Sequence, residues 1–106
     1  MSELPDFYQA FREQHPDVLR AYESLGEAAS REGPLDNKTR ELVKLGMAAA
    51  SQSVSAVKSH THRALEAGAV TEEIEHAIIL GVTTLGFPGM MAALSWAKAA
   101  MESDRT

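Results

Sequence analysis

Three side chains in the middle of the chain have the types and spacing for acid–base chemistry: Glu41, His60 and His62. The histidines lie one residue apart in the stretch from Ala50 to Gly68, "ASQSVSAVKSHTHRALEAG", behind a run of small residues. An imidazole titrates near neutral pH, and a neighbouring carboxylate fixes its tautomer and favours its protonated form. A glutamate paired with one of these histidines could therefore transfer protons.

The helical period separates the two histidines. On a helix over residues 53–67, His60 shares a stripe with small and apolar residues, namely Ser53, Ala56, Val57 and Ala64. His62 shares the stripe of Lys58 and Glu66. We therefore expect His60 to face the core or a cleft, and His62 to be a solvated surface residue without a role.

An inward-facing imidazole needs a hydrogen-bond partner, and Glu41 on the preceding helix is the best candidate. Antiparallel packing of these consecutive helices would bring the two side chains together. Two interpretations remain open: an acid–base pair, or a buried hydrogen bond that only orders the core. A metal site of Glu41, His60 and His76 is conceivable, but no HExxH spacing supports it, so we expect neither a metal nor a cofactor.

The elements that must position these residues are all helical, because strand signals are nearly absent. Residues that typically begin and end helices predict an all-α bundle of five to six helices. A short helix is predicted near residues 6–14, and Pro16 lies in the first turn of a second helix that ends at Arg31. Asp36 caps a third helix that ends at about Ser51, and a fourth over residues 53–67 is ended by Gly68. Thr71 caps a fifth helix that ends at about Thr84, and Pro88 opens a sixth that ends at about Glu102.

Two of these helices are apolar almost all round: Leu42 to Ala50, and Ala77 to Gly86. A helix that is apolar on every side is buried on every side, and a chain of 106 residues has difficulty covering two of them. The predicted covering surface is a second copy of the chain, so we expect a homo-oligomer. The alternative is that the N-terminal helices, Phe7 to Leu25, cover both.

Length and composition narrow the function classes. The length predicts a single domain over residues 1–106, and the net charge of −5 argues against nucleic acid and against an anionic membrane surface as partners. The absence of cysteine excludes thiol chemistry and fits a cytoplasmic protein, and the N-terminus has no signal-peptide pattern. The uncharged stretch from Ala77 to Ala97 is long enough to cross a bilayer, but "LGFPGM" at its centre would break the helix, so we expect two buried helices meeting at a turn.

Three segments, in order, carry a resemblance to a known family: "LDNKTRELVKLGMAAA" from Leu35, "HTHRALEAGAVTEEIEHAI" from His60 and "GFPGMMAAL" from Gly86. Over about residues 35–96 the chain resembles the carboxymuconolactone decarboxylase and alkylhydroperoxidase D-like superfamily. The resemblance implies an all-helical fold and a homo-oligomer, commonly a trimer or hexamer. It also implies that Glu41 and His60 are the catalytic residues, because they match the glutamate and histidine of the peroxidase branch's proton relay.

The peroxidase branch carries a Cys-x-x-Cys whose members precede the histidine by seven and four residues, and this chain has Ser53 and Ala56 there. A serine hydroxyl cannot replace a peroxidatic thiolate, so we expect no thiol peroxidase activity. The decarboxylase branch also lacks those cysteines, so this chain resembles that branch more closely in its chemistry. The resemblance implies a cofactor-free lyase of the kind that acts on an unsaturated lactone in aromatic-compound breakdown. Its Tyr-Ala-Gly-x-Pro is here Thr84-Leu85-Gly86-Phe87-Pro88, without the tyrosine. The predicted function is a decarboxylase-like acid–base enzyme on a small carboxylated or carbonyl substrate; the alternative is a non-catalytic oligomeric binding protein of the same family.

Overall fold

This computed structural model describes residues 6–104, which contain six α-helices joined by short connections. Their bounds are α1 Asp6–Gln14, α2 Pro16–Arg31, α3 Asn37–Ala50, α4 Val54–Glu66, α5 Thr71–Ile79 and α6 Val82–Ser103. No strand occurs within residues 6–104. The prediction of an all-α protein with five to six helices is confirmed.

Contacts between the helices divide the chain into two compact units, one with α1 and α2 and one with α3 to α6. In the first unit, α1 and α2 form a helical hairpin, and Arg12 on α1 contacts Glu23 on α2 at 2.9 Å. Pro16 lies in the first turn of α2, as predicted. That residues 1–106 form a single domain stays a prediction.

The second unit is built around α4, which packs against both α3 and α6. Its core consists mainly of aliphatic side chains and methionines from four helices: Leu45, Ala48, Ala49, Val57, Ala64, Ala69, Ile74, Ile78, Met90, Ala93, Ala97 and Met101. Many of these residues are alanines, so helix backbones approach closely. The backbone of α3 at Gly46 is close to α5, since a Cβ there would lie 4.0 Å from the carbonyl oxygen of Ala77.

Local capping fixes where α3 and α4 begin and end. Asp36 accepts a hydrogen bond from the Thr39 backbone N–H at 2.9 Å, as predicted, and this bond lowers the pKa of the Asp36 carboxyl. Ser53 caps α4 by accepting the Ala56 N–H at 3.3 Å. Gly68, just beyond α4, has φ +99°, the left-handed conformation expected of a residue that ends a helix.

The start of α5 differs from the prediction, because the cap residue is Val70 and not Thr71. The Val70 N–H donates to the Glu73 carboxylate at 3.0 Å, and Lys38 of α3 contacts the other oxygen of that carboxylate at 3.0 Å. The Val70 N–H first, and then Lys38, hold the pKa of Glu73 below its usual range. Glu73 thus satisfies a free donor at the helix start and links α5 to α3.

We expect Glu73→Gln to lower the thermal midpoint at neutral pH, with a difference from wild type that narrows as the solution is acidified. A carboxyl whose folded-state pKa is depressed contributes stability above its unfolded pKa and loses it as pH falls, here from about pH 5 downwards. Thermal unfolding followed by circular dichroism between about pH 7 and about pH 3 measures this. Glu72→Gln removes the same charge from the same turn and serves as the control. Equal, pH-independent effects of both substitutions would contradict the proposed role of Glu73.

The boundary between α5 and α6 corrects a second prediction. The helix α5 ends at Ile79 and not near Thr84, and a short helical segment from Val82 leads to a break at Gly86. Gly86 has φ +85° and ψ +159°, a conformation that a residue with a Cβ rarely adopts. The turn predicted within "LGFPGM" is therefore confirmed, and Pro88 follows it in the first turn of the longer part of α6.

The two apolar helices are not covered on every side within this chain. Met47 is 65% exposed and Leu80 is 64% exposed, and other large apolar side chains of this unit are also exposed: Val43, Ile79, Phe87 and Met91. This agrees with the expectation that a single chain has difficulty covering both helices, and that a second copy of the chain covers them stays a prediction. Among the described residues, no helix is long and apolar enough to cross a membrane.

Candidate active site

Glu41 and His60 meet between α3 and α4. The Nδ1 atom of His60 lies 2.9 Å from the Oε1 atom of Glu41, at hydrogen-bonding distance. The side chain of Glu41 is 11% exposed and that of His60 is 20% exposed, so the carboxylate is nearly buried and the imidazole retains an open edge. The predicted pairing, made from helix faces alone, agrees with this geometry.

The connection between α3 and α4 sets the register that brings these residues together. The turn passes through Gln52, whose φ of +56° is unusual for a residue other than glycine. Its side-chain Nε2 donates to the carbonyl oxygens of Ala49 at 2.8 Å and Gly89 at 3.0 Å. The turn is thereby tied both to the end of α3 and to α6. The sequence analysis missed Gln52, because nothing in its local sequence signals a left-handed conformation.

The contact with Glu41 indicates which ring nitrogen of His60 carries a hydrogen. An ionised carboxylate only accepts hydrogen bonds, so Nδ1 carries the hydrogen and donates it to Glu41. The remaining ring nitrogen, Nε2, is then the one available to accept or donate a proton at the open edge. A histidine held in this way has the arrangement of a general acid–base catalyst.

The core-facing side of α4 is rotated slightly from the predicted stripe. Its buried residues are Val57, Thr61 and Ala64, while His60 lies at the edge of this face. The Thr61 hydroxyl is fully buried and has no hydrogen-bond partner within residues 6–104. Thr61 belongs to neither of the two helical stripes inferred from the sequence, so sequence reasoning did not identify this unsatisfied hydroxyl.

His62 is the clearest correction to the sequence-based expectations. Its side chain is only 14% exposed, and its Nδ1 lies 2.8 Å from Oδ1 of Asp104, just beyond the end of α6. The predicted solvated residue therefore forms an ion pair or hydrogen bond that links α4 to the C-terminal end of α6. The stripe of Lys58 and Glu66 turns partly toward α6, which a helical wheel of α4 alone does not reveal.

The described residues give no cluster of metal ligands at the Glu41–His60 pair. Among residues 6–104, no three metal-ligating side chains converge, so Glu41, His60 and His76 do not form the conceivable metal site. A shallow depression on α5 and α6 is lined by Thr71, Glu75, Lys98, Met101 and Glu102. It includes neither Glu41 nor His60.

Comparison with known proteins now places this site in a family. The family model described as the carboxymuconolactone decarboxylase family matches residues 16–99. This range includes α2 as well as the region of about residues 35–96 that carries the resemblance. This chain belongs to the carboxymuconolactone decarboxylase family. The family resemblance predicted from the three sequence segments is thereby confirmed.

Solved and curated relatives agree with this assignment to the carboxymuconolactone decarboxylase family. The crystal structure of apo-lpg0406, a member from Legionella pneumophila, superposes with a TM-score of 0.79 at 30% identity and covers 89% of this chain and 84% of that one. An uncharacterized protein of Cupriavidus necator is 25% identical over 88% of this chain and 82% of its own length. An uncharacterized protein of Haemophilus influenzae is 41% identical over 48% of this chain, and the match spans only 45% of that relative.

Within the carboxymuconolactone decarboxylase family, this chain is a member without cysteine. At the positions where the peroxidase branch would carry its thiols, Ser53 uses its hydroxyl to cap α4 and Ala56 is partly buried. The Ser53 hydroxyl thus has a structural role that requires no reactivity.

Proposed function

We propose that this protein is a cofactor-free acid–base enzyme, related to the decarboxylase branch, that acts on a small carboxylated or carbonyl substrate. The observation that carries the proposal is the 2.9 Å contact between Glu41 and an imidazole that retains an open edge. A purely structural pair gains nothing from exposure of the ring, whereas a catalyst must reach its substrate.

In the proposed reaction, the bond between the carboxylate and the adjacent carbon of an unsaturated acid or lactone breaks. Carbon dioxide leaves, and the electron pair passes into the conjugated carbonyl group of the substrate. The protonated His60 then donates its Nε2 hydrogen to carbon, and water restores that hydrogen afterwards. Glu41 accepts the Nδ1 hydrogen in both states of the ring, and it stabilises the positive charge while His60 is protonated.

We further propose that the protein works as a homo-oligomer, a trimer or hexamer by family likeness. Exposed side chains such as Met47 and Leu80 support this, because a subunit interface would remove them from water. The same residues support the second candidate, a non-catalytic oligomeric binding member of the family, since an interface requires no chemistry at His60.

A substrate screen separates the two candidates. Small unsaturated lactone acids and oxo acids are incubated with the protein, and carbon dioxide release and proton NMR of the product are followed. We expect turnover by wild type, a loss of at least about a hundredfold in Glu41→Gln and His60→Gln, and little change in His76→Gln, whose imidazole is exposed on α5. Acids that raise the thermal midpoint of wild type without any turnover would favour the binding member and contradict the enzyme.

A further inference from the structure

The two helices that carry the site have the opposite charge balance to the chain as a whole. The net charge of the chain is −5, but α3 and α4 together contain five basic residues and two acidic ones. The basic residues are Lys38, Arg40, Lys44, Lys58 and Arg63, and the acidic ones are Glu41 and Glu66. Two of these charges are already paired, Lys38 with Glu73 and Glu41 with His60, whereas Lys44 forms no ion pair among residues 6–104.

Lys44 is the basic residue whose place in the fold relates most directly to the pair. It lies three residues after Glu41 on α3, so the two side chains emerge from neighbouring turns on the same side of the helix. The helix α5 lies along another side of α3, where Gly46 approaches Ala77 and Lys38 contacts Glu73. Lys44 therefore borders the side of α3 that faces α4.

The antiparallel packing of α3 and α4 indicates which residue of α4 lies opposite Lys44. Since Glu41 is opposite His60, a step of three residues along α3 corresponds to a step back along α4 to about Ala56. Ala56 is partly buried and packs against the core of this unit. Lys44 is itself partly buried, and it forms none of the ion pairs found among residues 6–104.

Among residues 6–104, no carboxylate forms an ion pair with the Lys44 ammonium group, which is therefore able to bind an anion. We propose that Lys44 binds the carboxylate of the substrate and so selects small carboxylic acids over neutral carbonyl compounds. The bound acid then lies beside Lys44 with its reacting carbon toward His60. This inference rests on the proposed function, and it assigns Lys44 a role in specificity and positioning, not in proton transfer.

Benzoate and its neutral analogue benzamide are suitable probes. Each is titrated at constant ionic strength into protein whose histidine ring signals are resolved by NMR, and the shift of the His60 ring is followed. We expect benzoate to shift this signal saturably and benzamide to bind at least about three- to tenfold more weakly, the range for a partly exposed charge-assisted contact. We expect Lys44→Gln to weaken benzoate to the level of benzamide and Lys44→Arg to restore most of the difference.

Lys58→Gln is the matched control, since it removes the same charge from a partly buried position on the other side of α4. Equal weakening by Lys44→Gln and Lys58→Gln would overturn the proposal, because the effect would then reflect net charge alone. So would equal binding of benzoate and benzamide, or no saturable shift of His60 by benzoate. The measurement requires no turnover, so charge-selective binding with an inactive protein would refute the enzyme and leave the role of Lys44 intact.

Discussion

Replacing His60 with alanine is expected to lower the free energy of unfolding by about 1–3 kcal/mol, the cost of leaving a nearly buried carboxylate without its partner. Glu41 is the residue left behind, with its side chain 11% exposed. Chemical denaturation at fixed protein concentration measures the change, since association would otherwise alter the apparent stability. His76→Gln, at an exposed histidine, should stay within about half a kcal/mol of wild type.

A double-mutant cycle tests whether this cost belongs to the pair. Glu41→Gln and His60→Gln, alone and together, should show non-additivity of at least about half a kcal/mol, because the two groups share one hydrogen bond. Additive effects would mean that each residue is stabilised by its own surroundings. That result would remove the physical basis for a tuned acid–base site.

Introducing a lysine at Met47 or Leu80 is expected to dissociate the proposed oligomer into monomers. Each side chain is about two-thirds exposed in the single chain, so a lysine there has little effect on folding but would place an unpaired charge in a subunit interface. Light scattering coupled to gel filtration, at about micromolar concentration, measures the mass of wild type and variants.

Ala99→Lys is the control, because Ala99 is exposed on α6 and the substitution adds the same charge. We expect it to leave the mass unchanged. A wild-type monomer at micromolar concentration would contradict oligomerisation directly. A wild-type oligomer that survives both Met47→Lys and Leu80→Lys would show that the interface lies elsewhere on the chain.

Residues that typically begin and end helices were sufficient to predict most of the helices of the fold. Asp36, Ser53 and Gly68 act through hydrogen bonds and backbone preferences within a few residues of themselves, so their effects are visible locally. The predictions failed where a distant residue decides the outcome. The cap of α5 is Val70 and not Thr71, and its N–H donates to a Glu73 carboxylate that also contacts Lys38 of α3. The left-handed Gln52 has its side chain bonded to Gly89 of α6.

The site shows the same division. From the sequence alone we could infer the chemical types of the site residues, the absence of thiols and the spacing that allows Glu41 to meet His60, since consecutive antiparallel helices restrict which residues can face each other. Which face of α4 lies in the core depends on the packing of the folded chain. This packing buries Thr61, leaves an open edge on His60 and turns His62 toward Asp104. The period of a helix fixes the directions of its side chains relative to one another, whereas the elements packed around the helix decide which of those side chains are buried.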